Sequence, residues 1–114
     1  MDTSSYKTLT DGISANLAPF RKTQAETMRG FGVLSQAAMA GGAIDAKTKE
    51  LIAMAIGVSA RCDGCIGFHA KALVRLGATR QELEEVLGIA VYMGGGPSLM
   101  YAANALAAFE EFSA

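Results

Sequence analysis

Apolar and polar positions follow one another along this chain with a helical period almost throughout. No window alternates apolar and polar residues with period two, and β-branched residues are scattered. Ala, Leu, Met, Glu and Lys dominate, all good helix formers. The punctuation predicts about six helices. A short first helix occupies Tyr6 to Asn16. Pro19 suits a first helical turn and opens a second helix that reaches Met39, weakened by Gly30 and Gly32 and ended by Gly41-Gly42. Asp45 is an N-cap for a third helix ending near Ala60. Leu51, Ile52, Met54, Ala55, Ile56 and Val58 make that helix apolar on nearly every side, the pattern of a central helix. Arg61-Cys62-Asp63-Gly64 reads as a sharp corner, and the fourth helix runs from there to Leu76, with Gly77 as its C-cap. Thr79 and Glu82 form a capping box for the fifth helix, whose core face is Leu83, Val86, Leu87, Ala90 and Val91. Gly94 to Gly96 close it, and Pro97 opens a last helix reaching Phe112. The expected fold is a single all-α domain over residues 1–114, a compact bundle.

The stretch from Val86 to Phe109 carries no charge and is long enough to cross a bilayer. Gly94-Gly95-Gly96-Pro97 breaks it in the middle, so it reads as two buried helices around a turn. The polar stretch from Met1 to Thr10 lacks the apolar run of a signal peptide, so a cytoplasmic location is expected. Net charge is −1, with no basic patch, which gives no electrostatic support to nucleic-acid or membrane-surface binding. Counting Gly and omitting Tyr, about 60% of the residues are apolar, against ~45–50% in ordinary domains. A monomer this small cannot hide that much, so a homo-oligomer is expected, with Gly30 to Ile44 and the last helix as contact surfaces.

The chemistry gathers in one place. The chain's two cysteines form a C-x-x-C, Cys62 and Cys65, and its one histidine, His69, follows four residues later. Cys65 and His69 fall on one helix face. Cys62 falls at that helix's start, where free N–H groups and the dipole favour a thiolate. Glu50 lies on the preceding helix, and the corner folds it back toward His69, which it can orient. In a reducing compartment a purely structural disulfide is not expected. This grouping points to thiol redox chemistry, in which one thiolate attacks an O–O or S–S bond and the other cysteine resolves the product. Two alternatives remain. One is a zinc site built from Cys62, Cys65, His69 and Glu50; the other is plain packing, since a buried cysteine is often core filler. The dispersed Met28, Met39, Met54, Met93 and Met100 read as core, as do Tyr92 and Tyr101 in half-buried form. Glu82, Glu84 and Glu85 read as a solvated face.

The residues from Glu50 to Tyr101 resemble the carboxymuconolactone decarboxylase/alkylhydroperoxidase AhpD-like family. The resemblance is carried by Lys49-Glu50-Leu51-Ile52-Ala53, Arg61-Cys62-Asp63-Gly64-Cys65, His69, Leu76-Gly77-Ala78-Thr79 and Tyr92-Met93-Gly94-Gly95-Gly96-Pro97. It implies an all-α fold, trimers or hexamers, and a cofactor-free Glu–Cys–Cys–His relay that reduces hydroperoxides. In that relay Cys65 attacks, Cys62 resolves, and Glu50 and His69 move protons. The electron donor would be an external dithiol, a lipoyl group or a thioredoxin-like protein. The family's peroxidase pattern carries a Tyr between the cysteines, where this chain has Asp63-Gly64. A decarboxylase or isomerase activity using His69 and Glu50 as acid and base is the alternative within enzymes. A redox-sensing oligomer with little turnover is the alternative outside them.

Overall fold

The computed structural model describes residues 5–114; the polar Met1–Ser4 stretch lies outside the described residues. Six helices account for nearly all of them: α1 (Tyr6–Thr23), α2 (Ala25–Met39), α3 (Ala46–Ser59), α4 (Asp63–Arg75), α5 (Arg80–Gly94) and α6 (Gly96–Ser113). No strand occurs among the described residues.

Four of the helices form the body. α3, α4, α5 and α6 pack on one another, and α1 lies against α4 and α6. Met54, Val58, Ile66, Leu73 and Leu83 are fully buried between them. Ala102, Ala105 and Ala108 give α6 a narrow buried edge, so it can approach its neighbours closely. α1 approaches α4 at Gly67, where a Cβ would lie only 2.5 Å from Thr10 Cγ2 and 3.3 Å from Tyr6 Cδ1. α2 is different. Among the described residues it touches only α1 and α3, and none of its side chains is buried.

The caps follow the sequence. The Asp45 carboxylate accepts the Thr48 N–H at 2.7 Å, and the Thr79–Glu82 capping box is complete. Gly95 ends α5 with φ of 72°, a conformation that only glycine adopts without strain. One boundary differs. Pro19 lies inside α1, and the break falls at Gln24, with φ −124° and ψ 47°. Proline's fixed φ suits a helix, and on this exposed stretch the loss of one N–H bond does not end it. The central helix α3 is also less enclosed than its composition implies: Ile52 and Ile56 are exposed while Leu51, Met54 and Val58 are buried.

Candidate active site

The corner between α3 and α4 is built from two interlocking caps. At the end of α3, the Arg61 N–H donates to the Val58 carbonyl and the Cys62 N–H to the Gly57 carbonyl. This is a Schellman closure, which needs a left-handed residue just past the helix. Arg61 takes that place with φ of 57°. The same closure after α4 uses Gly77, with φ of 77°, where glycine is unstrained. Cys62, the residue that completes the end of α3, is also the N-cap of α4, and its Sγ accepts the Cys65 N–H at 3.1 Å. One residue thus closes one helix and opens the next.

The corner brings the cysteines together. Cys62 and Cys65 are joined as a disulfide, with their Cα atoms 5.2 Å apart. That lies within the ~4.4–6.8 Å that disulfides ordinarily span. Both are half-buried. α3 passes directly beneath at Gly57, where a Cβ would stand 3.1 Å from Cys65 Cβ. Any larger side chain at 57 would press on the cysteine turn.

The second pair is Glu50 and His69. Glu50 is buried on α3, with 8% of its surface exposed. Its Oε1 forms a hydrogen bond with His69 Nδ1 on α4. A carboxylate bound to Nδ1–H leaves Nε2 as the ring nitrogen that takes or gives a proton. His69 itself stays half-buried. The two pairs are linked through α4, on which Cys65 and His69 lie four residues apart on neighbouring turns.

The contact between Asp63, noted in the sequence only as part of the corner, and Tyr6, noted only as the start of the first helix, was not legible there. Asp63 is the first residue of α4 and sits between the cysteines. The hydroxyl of buried Tyr6 donates to its Oδ1 at 2.9 Å. Burial, and then the bond to Asp63, push the Tyr6 phenol well above its ordinary range, so it remains a donor. Of the two tyrosines read as half-buried, Tyr101 is partly buried against the core, whereas Tyr92 is 84% exposed. Of the methionines read as core, Met54 is buried, whereas Met93 and Met100 are exposed. Glu84 and Glu85 face solvent, but Glu82 is engaged, pairing with Lys47 at 2.9 Å.

The sequence pattern of the carboxymuconolactone decarboxylase family matches residues 25–108. An uncharacterized protein of Cupriavidus necator is 40% identical over 112 residues, covering 98% of this chain and 99% of its own length. The crystal structure of a carboxymuconolactone decarboxylase family protein from Legionella pneumophila superposes with a TM-score of 0.94 at 62% identity, covering 96% of this chain and 97% of that one. A carboxymuconolactone decarboxylase family protein from Thermotoga maritima superposes with a TM-score of 0.69 at 34% identity, over 75% of this chain and 88% of that one. With the cysteine corner, the Glu–His pair and these likenesses on one scaffold, the chain belongs to the carboxymuconolactone decarboxylase/AhpD-like family.

Proposed function

We propose that the protein is a thiol-dependent peroxidase that reduces organic hydroperoxides through the Cys62–Cys65 pair. The observation that carries the reading is the placement of a disulfide-bonded C-x-x-C one helical turn from a Glu-bound histidine. In the reduced enzyme, His69 Nε2 takes the Cys65 thiol proton, and Glu50 stabilises the resulting imidazolium. The Cys65 thiolate attacks the terminal peroxide oxygen. An S–O bond forms, the O–O bond breaks, and the departing oxygen takes the proton back from His69 as alcohol. Cys62 then attacks the sulfenic acid, forming the disulfide and releasing water. An external dithiol, lipoyl or thioredoxin-like, returns two electrons and two protons by exchange and becomes a disulfide itself.

A cytoplasmic setting fits this reading, because the dithiol donor must be kept reduced there. No helix among the described residues is long and apolar enough to cross a membrane. The test is hydroperoxide consumption with several dithiol donors, comparing wild type with Cys65→Ser. Wild type should turn over repeatedly and Cys65→Ser should not. Equal rates in the two, or no turnover with any dithiol, would overturn the proposal. A lactone decarboxylase run by His69 and Glu50 alone would instead survive the serine substitution.

A further inference from the structure

The turn that carries the reactive cysteines also carries a negative charge. Asp63 lies between Cys62 and Cys65 and opens α4. A carboxylate at a helix start is drawn by its unpaired N–H groups, one of which, that of Cys65, the Cys62 sulfur accepts here. Left to itself it would compete for those donors and set its charge beside the sulfurs. That would oppose what a helix start does for a thiolate.

Instead, Asp63 is drawn toward α1. Tyr6 donates its hydroxyl to Asp63 Oδ1 at 2.9 Å, and Tyr6 is itself held from several sides. Its N–H donates to Glu111 Oε1 at 2.7 Å, and its carbonyl accepts from Thr10 Oγ1 at 2.9 Å. Its ring lies against Gly67, where a Cβ would stand 3.3 Å away. α1, α4 and α6 therefore all hold Tyr6, a residue only 2% exposed. The charged and titratable groups around the dithiol turn are Asp63 within it, Arg61 just before it, Tyr6 from α1, the more distant Tyr101 of α6, and Glu50 of α3 acting through His69. Asp63 is the only one of these set between the sulfurs in sequence.

We infer that Tyr6 is a positioning residue for the cysteine pair: by hydrogen-bonding Asp63 it holds that carboxylate off the start of α4, and so keeps the thiolates accessible and the disulfide reducible. The inference rests on a redox role for the pair but not on the identity of the oxidant. Its readouts need no peroxide.

Two measurements on the full chain test it. One is the pH dependence of thiolate absorbance in the reduced protein. The other is the equilibrium in which the protein disulfide and two glutathiones give the protein dithiol and one glutathione disulfide. Removing the phenol hydroxyl in Tyr6→Phe frees the carboxylate. The thiol pKa should rise by about half a unit to one unit, and the equilibrium should move ~3–10-fold toward the protein disulfide. Asp63→Asn removes the charge and should shift both in the opposite direction. Tyr6→Phe added to Asp63→Asn should do nothing more, because Tyr6 acts through Asp63. A merely structural tyrosine would lower the melting temperature and leave pKa and equilibrium unmoved, and that result overturns the inference. So does an equal shift from Tyr6→Phe with and without Asp63. If Tyr6→Phe does not fold, Asp63→Asn decides alone: an unchanged or raised thiol pKa sinks the idea. A failed peroxidase assay with these shifts intact would reject the proposed activity and leave the Tyr6–Asp63 coupling standing.

Discussion

Cys62 and Cys65 are three residues apart, yet their surroundings suit different tasks. Cys62 is the N-cap, so its sulfur meets the helix start. Cys65 stands over Gly57 and one turn from His69, the group that can hand a proton to a departing oxygen. In the proposed peroxidase reaction proton delivery would decide the first step, which is why Cys65 is assigned the attack. Cys62→Ser should consume about one peroxide per chain and stall with a sulfenic acid at Cys65, which a dimedone-type reagent labels for mass spectrometry. His69→Ala should slow that first step by ~10²–10⁴-fold. A label on Cys62 in Cys65→Ser, formed at the wild-type rate, would reverse the assignment. The neighbouring Arg61 permits a second test. Its left-handed backbone costs a non-glycine residue ~1–2 kcal/mol, while glycine loses up to ~1 kcal/mol more entropy on folding. Arg61→Gly should therefore leave stability equal or raise it by up to ~1 kcal/mol in a denaturant titration. A clear loss would mean that the guanidinium itself holds the corner.

At the scale of elements, the junction between the chain's two ends sets a pH response. The start of α1 is capped by Glu111 near the end of α6, whose carboxylate accepts the N–H groups of Tyr6 and Lys7 and the Ser5 hydroxyl. Desolvation pushes the Glu111 pKa up, but these hydrogen bonds outweigh it and the net shift is downward. A carboxyl with a depressed folded-state pKa stabilises the fold fully above its unfolded value, near 4.5, and that stability is lost as pH falls through the folded value. Glu111→Gln should therefore melt at a lower temperature than wild type at neutral pH, and the gap should narrow below about pH 4.5. A gap independent of pH would place the effect in packing instead. This junction was not visible in the sequence, because residues 106 apart met only once the bundle had closed. The helices, caps and turns that rest on local residues were visible: the Asp45 cap, the Thr79 box, Gly77 and Gly95 all stand where their chemistry requires. Glu50 and His69 were within reach for the same reason, since one short corner connects their helices. Pro19 misled because a proline that opens helices can also sit inside one whose outer face is wet. The Tyr6–Asp63 bond, like the Glu111 cap, depended on how α1 crosses α4.

The single chain leaves a large apolar surface exposed, with Phe31, Leu34, Ile56, Ile89 and Met93 all open to solvent. Its location is informative. Between α3 and α5 lies a groove of about 350 Å³ lined by Ile52, Ile56, Val86, Ile89 and Met93. α2 presents Phe31, Val33 and Leu34 outward, and is tied to the body at its end by Lys49 Nζ on the Ala38 and Ala40 carbonyls, at 2.9 and 2.8 Å. A 15-residue helix with no buried side chain is marginal in water by itself, so its stability must come from packing on something. A second copy of the chain would supply both an apolar helix and an apolar groove, and we propose that a closed homo-oligomer covers them. Sedimentation velocity at ~10 μM should find wild type well above 11.8 kDa. Ile56 is 63% exposed in the single chain, so Ile56→Asp would cost a monomer within ~0.5 kcal/mol. In an assembly the same change buries an unpaired carboxylate and should release helical monomers. Wild type sedimenting as a monomer, or Ile56→Asp leaving the assembly intact, would reject this reading of the surface.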